Sequence, residues 1–191
     1  AQPAPPLQKR GRVSMYYGEL KKCDIADGEG VRVSLFVSGC RNHCRDCFQP
    51  ETWDFCFGQP FTEETEQEIY AELEKSYVNG LTLLGGDPLE PENQRALLPM
   101  LRHIHRAFPG KNVWCFTGYV LEEPDRFTGA HPNCEVTEEF LSYIHILVDG
   151  PFIAEEKDIS LQFRGSRNQR VIDMNGSRQA GKIVLWDKLR K

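Results

Sequence analysis

Apolar residues along this chain fall into two rhythms. Short runs rich in β-branched and aromatic residues, VRVSLFV at 31–37, LTLL at 81–84, VWCFT at 113–117 and IHILV at 144–148, read as buried strands. Between the first two, Ile69, Leu73 and Tyr77 recur every four residues in a stretch opened by Thr62-Glu63-Glu64. That spacing predicts an amphipathic helix to about Val78, with threonine as N-cap and acids in the first turn. A second helix is expected from near Pro91, with Leu97, Leu101 and Ile104 on one face and a kink or split at Pro99. A short helix over 136–143 leads into the fourth strand. Residues 24–30, 49–61 and 122–134 read as turn or loop, and beyond Pro151 strands are expected only near 170–173 and 182–185.

Strands alternating with helices imply crossover units and a mainly parallel sheet. The stretch from 15 to 191 is shorter than the roughly 250 residues of a closed eight-unit barrel. An α/β fold follows, an incomplete (β/α) barrel or an open sheet. Its successive strand ends carry a cysteine loop, Gly85-Gly86-Asp87-Pro88, Thr117-Gly118 and Asp149-Gly150. In a parallel sheet these four ends lie along one rim, where α/β proteins bind ligands.

Composition narrows the class. At 191 residues, with 40% hydrophobic and 27% charged positions, the chain suits one soluble domain, and no stretch approaches the roughly 20 apolar residues that span a bilayer. A net charge of -5 argues against a nucleic-acid binder that relies on bulk electrostatics. Arg164, Arg167 and Arg170 form one local basic run, readable as a solvated turn or as a surface facing an anion. Seven cysteines, an odd number with no signal peptide before them, fit a reducing cytoplasm better than a secreted disulfide framework. Residues 1–14, with three prolines and three basic residues, read as a flexible leader or cloning remnant outside a single domain over 15–191, and Met15 reads as the natural start.

Candidate chemistry concentrates in residues 38–48, SGCRNHCRDCF, where Cys40, Cys44 and Cys47 follow the first strand in a C-x3-C-x2-C spacing. Thiolates are soft ligands for iron–sulfur clusters or zinc. A structural zinc site needs a fourth protein ligand, for which His43, Cys23 and Cys56 are the candidates. A cubane cluster with three protein thiolates leaves one iron open to a small molecule. Cys23, Cys56, Cys115 and Cys134 read as small hydrophobes or free thiols. The paired glycines at 85 and 86 allow close approach of a ligand to the backbone, and Asp87 is a carboxylate able to accept from an ammonium; an ordinary strand-to-helix turn is the alternative. Thr117 and Asp149 read either as caps or as contacts to a ligand's hydroxyls.

Taken together, Asp27-Gly28-Glu29-Gly30, Leu35 to Cys40, Cys44, Cys47-Phe48 and Trp53 resemble the radical S-adenosylmethionine enzymes. Leu84 to Leu89, Trp114 with Thr117-Gly118-Tyr119, Leu147 to Phe152 and Arg164 to Gln169 extend the likeness over roughly residues 16–173, toward the branch that activates anaerobic (class III) ribonucleoside-triphosphate reductases. The resemblance implies a [4Fe-4S] cluster on Cys40, Cys44 and Cys47, with S-adenosylmethionine on the open iron. It implies that Asp46, Cys47 and Phe48 border the adenine, that Gly85, Gly86 and Asp87 receive the methionine ammonium, and that Thr117 and Asp149 contact the ribose or methionine. Many superfamily members carry an aromatic before the third cysteine; here Asp46 stands there and Phe48 follows it, so no ring stacks from position 46. Pro151 replaces a basic residue of some relatives, which leaves Arg164 as the substitute partner of the cofactor carboxylate. The implied reaction is reductive cleavage of S-adenosylmethionine to a 5′-deoxyadenosyl radical that takes hydrogen from a glycine of a glycyl-radical enzyme, with flavodoxin or ferredoxin as one-electron donor. Activases of the pyruvate formate-lyase type and small deazapurine-pathway enzymes share the Gly28-Glu29-Gly30 and three-cysteine features, and a zinc-stabilised interaction module is the alternative from another class.

Overall fold

The computed structural model describes residues 15–189, so the expected leader at 1–14 lies outside the described residues. Nine strands are described: β1 (Tyr16–Asp24), β2 (Val31–Val37), β3 (Gln59–Pro60), β4 (Val78–Gly85), β5 (Asn112–Phe116), β6 (Leu121–Glu123), β7 (Arg126–Phe127), β8 (Ile146–Asp149) and β9 (Arg170–Asp173). Four α-helices accompany them: α1 (Glu63–Leu73), α2 (Pro91–Ala107), α3 (Thr137–Ser142) and α4 (Met174–Ala180).

The main sheet runs β3-β1-β2-β4-β5-β8-β9. Its centre, β2-β4-β5-β8, is parallel and in chain order, while β1, β3 and β9 pair antiparallel at the flanks. The fold is therefore mixed α/β with a mostly parallel central sheet, and the described strands close no barrel. Alternation along the strands decides the layers. Val33, Leu35 and Val37, with Leu81, Leu83, Val113, Cys115 and Leu147, join one core with Ile69 and Leu73 of α1, Leu97, Leu101 and Ile104 of α2 and Phe140 of α3. The intervening residues face the other way. There Trp114, Ile146, Val148 and Val171 pack with Trp186, while Phe36, Leu84 and Phe116 line an open cavity.

Arg32 lies wholly buried on that second face. Its Nε donates to Thr82 Oγ1 at 2.6 Å, Nη2 to the Leu81 carbonyl at 2.7 Å and Nη1 to the Glu29 carbonyl at 3.1 Å. Burial pushes its pKa down to about 9. The guanidinium thereby ties the turn before β2 to the sheet, a full set of partners being what a buried cation requires.

Several elements depart from the sequence expectations. β1 was not anticipated, because YYGELKKCD mixes lysines and a glycine into its alternation; its pairing with β2 and β3 makes it a strand. α1 ends at Leu73, and Tyr77, 57% exposed, lies beyond it in the turn that returns the chain to Val78. α2 remains helical through Pro99. The prolyl ring is on the exposed face, where water can satisfy the carbonyl that loses its donor. The loop at 122–134 contains part of the β6-β7 hairpin. Residues 182–185 form only a single bridge, Ile172 to Leu185, which covers the outer edge of β9. α4 follows β9 directly, with Asp173 accepting from the Gly176 N–H as its N-cap at 3.0 Å.

Candidate functional site

The carboxyl ends of β2, β4, β5 and β8 come together at a cavity of about 650 Å³. β2 delivers the chain to Gly39, whose positive φ of 97° turns it sharply into the cysteine loop. A Cβ at that position would stand 2.3 Å from the Phe55 ring. Backbone bonds from Gly39 N to Thr52 O (2.8 Å) and from Cys40 N to Trp53 O (3.3 Å) fasten the loop's start to the 3₁₀ turn over Pro50–Trp53. His43 stacks on Trp53 with ring centroids 4.6 Å apart. Cys40, Cys44 and Cys47 all line the cavity. Among the described residues every cysteine is a free thiol, and no three His, Cys, Asp or Glu side chains close around a single metal ion.

Burial, with the Asp87 charge adding, pushes the Cys40 thiol up to about 12, and burial raises Cys44 as well. Thiols this poorly solvated are stable as thiolates only beside a cationic centre. Three sulfur donors on one wall are a soft donor set that suits an iron–sulfur cluster.

At the end of β4, Gly85 has φ 104°, and a Cβ on Gly86 would meet the Gly39 carbonyl oxygen at 2.6 Å. Gly86 N donates to Val37 O at 2.7 Å and Asp87 N to Gly39 O at 2.8 Å. The glycine pair thus lets two loop backbones touch, and both residues still line the cavity. Asp87 is fully buried. Its Oδ1 accepts from Leu89 N (2.9 Å) and Thr117 Oγ1 (2.8 Å), and its Oδ2 from Gly118 N and Asn42 Nδ2 (both 2.9 Å). Burial nevertheless lifts it to about 7. One carboxylate therefore joins the cysteine loop, the β4 turn and the end of β5.

The other sequence-derived candidates divide. Phe48, Thr117 and Arg164 line the cavity. Phe48 is 65% exposed and packs against Phe152 at 5.0 Å. Arg164 donates from Nη1 to the Gln169 carbonyl at 3.0 Å, while its buried Nε has no partner. Asp46 and Asp149 are not among the lining residues. Asp46 is exposed, and the buried Asp149 carboxylate is bridged by Arg170 and accepts from Leu121 N at 2.8 Å. Within the basic run at 164–170, Arg167 pairs with Asp158 and Arg170 with Asp149, so only Arg164 faces the cavity. Sequence reasoning did not single out Lys21, Asn42 or Glu90, since their roles depend on partners distant along the chain.

Three thiols from one loop line a cavity at parallel strand ends, and a family model described as "4Fe-4S single cluster domain" matches residues 26–172, which places the chain among iron–sulfur proteins. The anaerobic ribonucleoside-triphosphate reductase-activating protein of Pasteurella multocida is 41% identical over 157 residues, covering 81% of this chain and 95% of that protein. Proteins of the same name from Escherichia coli K12 (38% over 159 residues, 82% and 97%) and Enterobacteria phage T4 (37% over 159 residues, 82% and 93%) are also similar. The chain belongs to the family of anaerobic ribonucleoside-triphosphate reductase-activating proteins.

Proposed function

We propose that this chain activates an anaerobic ribonucleoside-triphosphate reductase by generating a glycyl radical on it, using a [4Fe-4S] cluster on Cys40, Cys44 and Cys47 and S-adenosylmethionine in the adjoining cavity. The observation that carries this reading is the placement of three thiols from one loop on the wall of a cavity at four parallel strand ends, in a chain about 40% identical to activating proteins. When bound, cluster and cofactor supply one-electron reductive cleavage of the sulfonium and hydrogen-atom abstraction from a glycine Cα.

The protein's own part is ligation, orientation and exclusion of water. Phe36, Leu84 and Phe116 give the cavity an apolar floor. Backbone at Asp46, Cys47 and Phe48 borders the adenine in this reading. Gly85 and Gly86 bound the end assigned to the methionine ammonium. The Asp87 acceptor positions are already taken, so its contribution there is a rigid rim. Arg164, with its unpartnered Nε, is the cation for the cofactor carboxylate. Thr117 is kept for the ribose or methionine, and Asp149 acts by setting Gly150, which lines the cavity. Helices on one sheet face and a cavity on the other suit the incomplete (β/α) barrel, whose open side admits the partner's glycine loop. A one-electron donor of the flavodoxin or ferredoxin kind and a reducing cytoplasm complete the reading.

The test is anaerobic reconstitution, reduction and addition of S-adenosylmethionine with purified reductase. Formation of 5′-deoxyadenosine together with a glycyl radical signal in the reductase is expected. Cofactor cleavage with no such signal refutes the partner, and about one zinc with no iron or sulfide refutes the chemistry.

A further inference from the structure

Glu90 stands at the N-cap of α2, yet its side chain caps no N–H of that helix. It is wholly buried, and its carboxylate is spent elsewhere. Oε1 accepts from the Arg41 backbone N–H and the Tyr119 hydroxyl, each at 2.8 Å, and Oε2 meets the Arg41 guanidinium and His131 Nε2, the latter at 3.0 Å. Burial works against the charge, but donation from His131, Arg41 and Tyr119 prevails and holds the carboxyl below its usual range. A buried carboxylate is costly without such partners.

The donors come from three separate segments, and one of them is the residue next to Cys40. Arg41 is further held by Glu92, with Nη2 to Oε1 at 2.6 Å, and by the Phe55 ring, 4.4 Å from its guanidinium carbon. Asn42, the next residue, is held by Asp87. Two acids three positions apart on the β4-α2 turn therefore grip two consecutive residues of the cysteine loop, between its first and second thiols.

We infer that Glu90 is a positioning residue for the cluster loop: by fixing Arg41 it sets the spacing of Cys40 relative to Cys44 and Cys47. The inference rests on the cluster reading proposed above. Hydrogen-bond partners of the ligands themselves are commonly worth roughly 10- to 100-fold in metal affinity, and Glu90, one residue removed, belongs at the lower end. A residue that only staples the fold would lower the unfolding temperature and leave cluster retention in the folded protein unchanged.

The experiment uses the full chain, reconstituted anaerobically with iron and sulfide, as wild type, Glu90→Ala, Glu90→Gln and His131→Ala. Readouts are the rate at which a chelator strips iron, the electron paramagnetic resonance line shape of the reduced protein, and circular dichroism of each apoprotein. Folded Glu90→Ala should lose iron about tenfold faster and show an altered line shape. Glu90→Gln, which keeps volume and an acceptor for the Arg41 N–H, should fall between it and wild type, as should His131→Ala, which removes one donor to Glu90 and leaves its contact with Arg41 in place. A folded Glu90→Ala with wild-type stripping rate and line shape overturns the inference. If that variant does not fold, Glu90→Gln with wild-type values overturns it. Failure of the wild-type protein to take up iron and sulfide overturns the cluster reading instead.

Discussion

Asp27 shows what burial does to a single carboxyl here. It lines the cavity, and burial, with the neighbouring Asp24 carboxyl adding, lifts it to about 7. For Asp24 the order of effects reverses: burial raises it, but the neighbouring Asp27 carboxyl, the Ala26 N–H at 2.9 Å from Oδ1 and the Lys21 charge prevail and hold it low. The linkage has opposite signs for the two. Asp27 takes up its proton at higher pH in the folded state than in the unfolded chain. Its contribution to stability is therefore present below about 4, declines as pH rises and is gone above about 7. Asp24 contributes above the ordinary carboxylate range and loses its contribution as pH falls. Urea midpoints of the apoprotein between pH 4 and 8 should show Asp27→Asn gaining stability relative to wild type as pH rises. A constant difference across that range contradicts the assignment. Residue identity was legible where chemistry is local. Cys40, Cys44 and Cys47 announce themselves by spacing, whereas Glu90 and Arg32 carry no mark of burial, because their partners lie between 29 and 80 positions away or in turns whose geometry the sequence leaves open.

Among the elements, α2 is the one that most directly supports the site, since its first turn carries Glu90 and Glu92 into contact with Arg41. Its amphipathic spacing was readable, and so was the anomaly at Pro99. The helix continues because Leu97, Leu98, Met100 and Leu101 on either side are buried, which holds the backbone helical despite the missing donor. Replacing an exposed interior proline restores a bond worth up to roughly 3 kcal/mol, offset by up to about 1 kcal/mol as the unfolded chain regains freedom. Pro99→Ala should therefore raise unfolding stability by about 1 to 2 kcal/mol in urea titration, with iron uptake unchanged. A lower midpoint indicates that the ring itself packs usefully. β1 went unread for the converse reason: its lysines and glycine hide the alternation, and only pairing on both edges makes it a strand.

At the scale of the whole molecule, the cavity unites segments that the chain keeps far apart, and the thiol-bearing loop, which has no helix or strand of its own, forms part of its wall. Occupation of the site should stabilise that loop most, by the general coupling of binding to the bound conformation. Hydrogen exchange of reconstituted against chelator-stripped protein should show slowed exchange at Cys40 and Cys47, whose amides bond to Trp53 and Cys44 carbonyls, with β4 and β5 nearly unchanged. Uniform slowing across the sheet indicates instead that the apoprotein is globally loosened. The alternation of buried strands and amphipathic helices, the shared rim of four strand ends and the three-thiol loop were determined by the sequence itself. They depend on local periodicity, short spacing and the handedness of crossover connections. Only the tertiary structure decided that Asp87 is saturated by four donors, that Asp149 faces Arg170 rather than the cavity, that Arg164 alone of its basic run lines it, and that Glu90 holds Arg41. Those outcomes turn on which polar groups must be satisfied once water is excluded, and that is settled by neighbours the chain brings together only on folding.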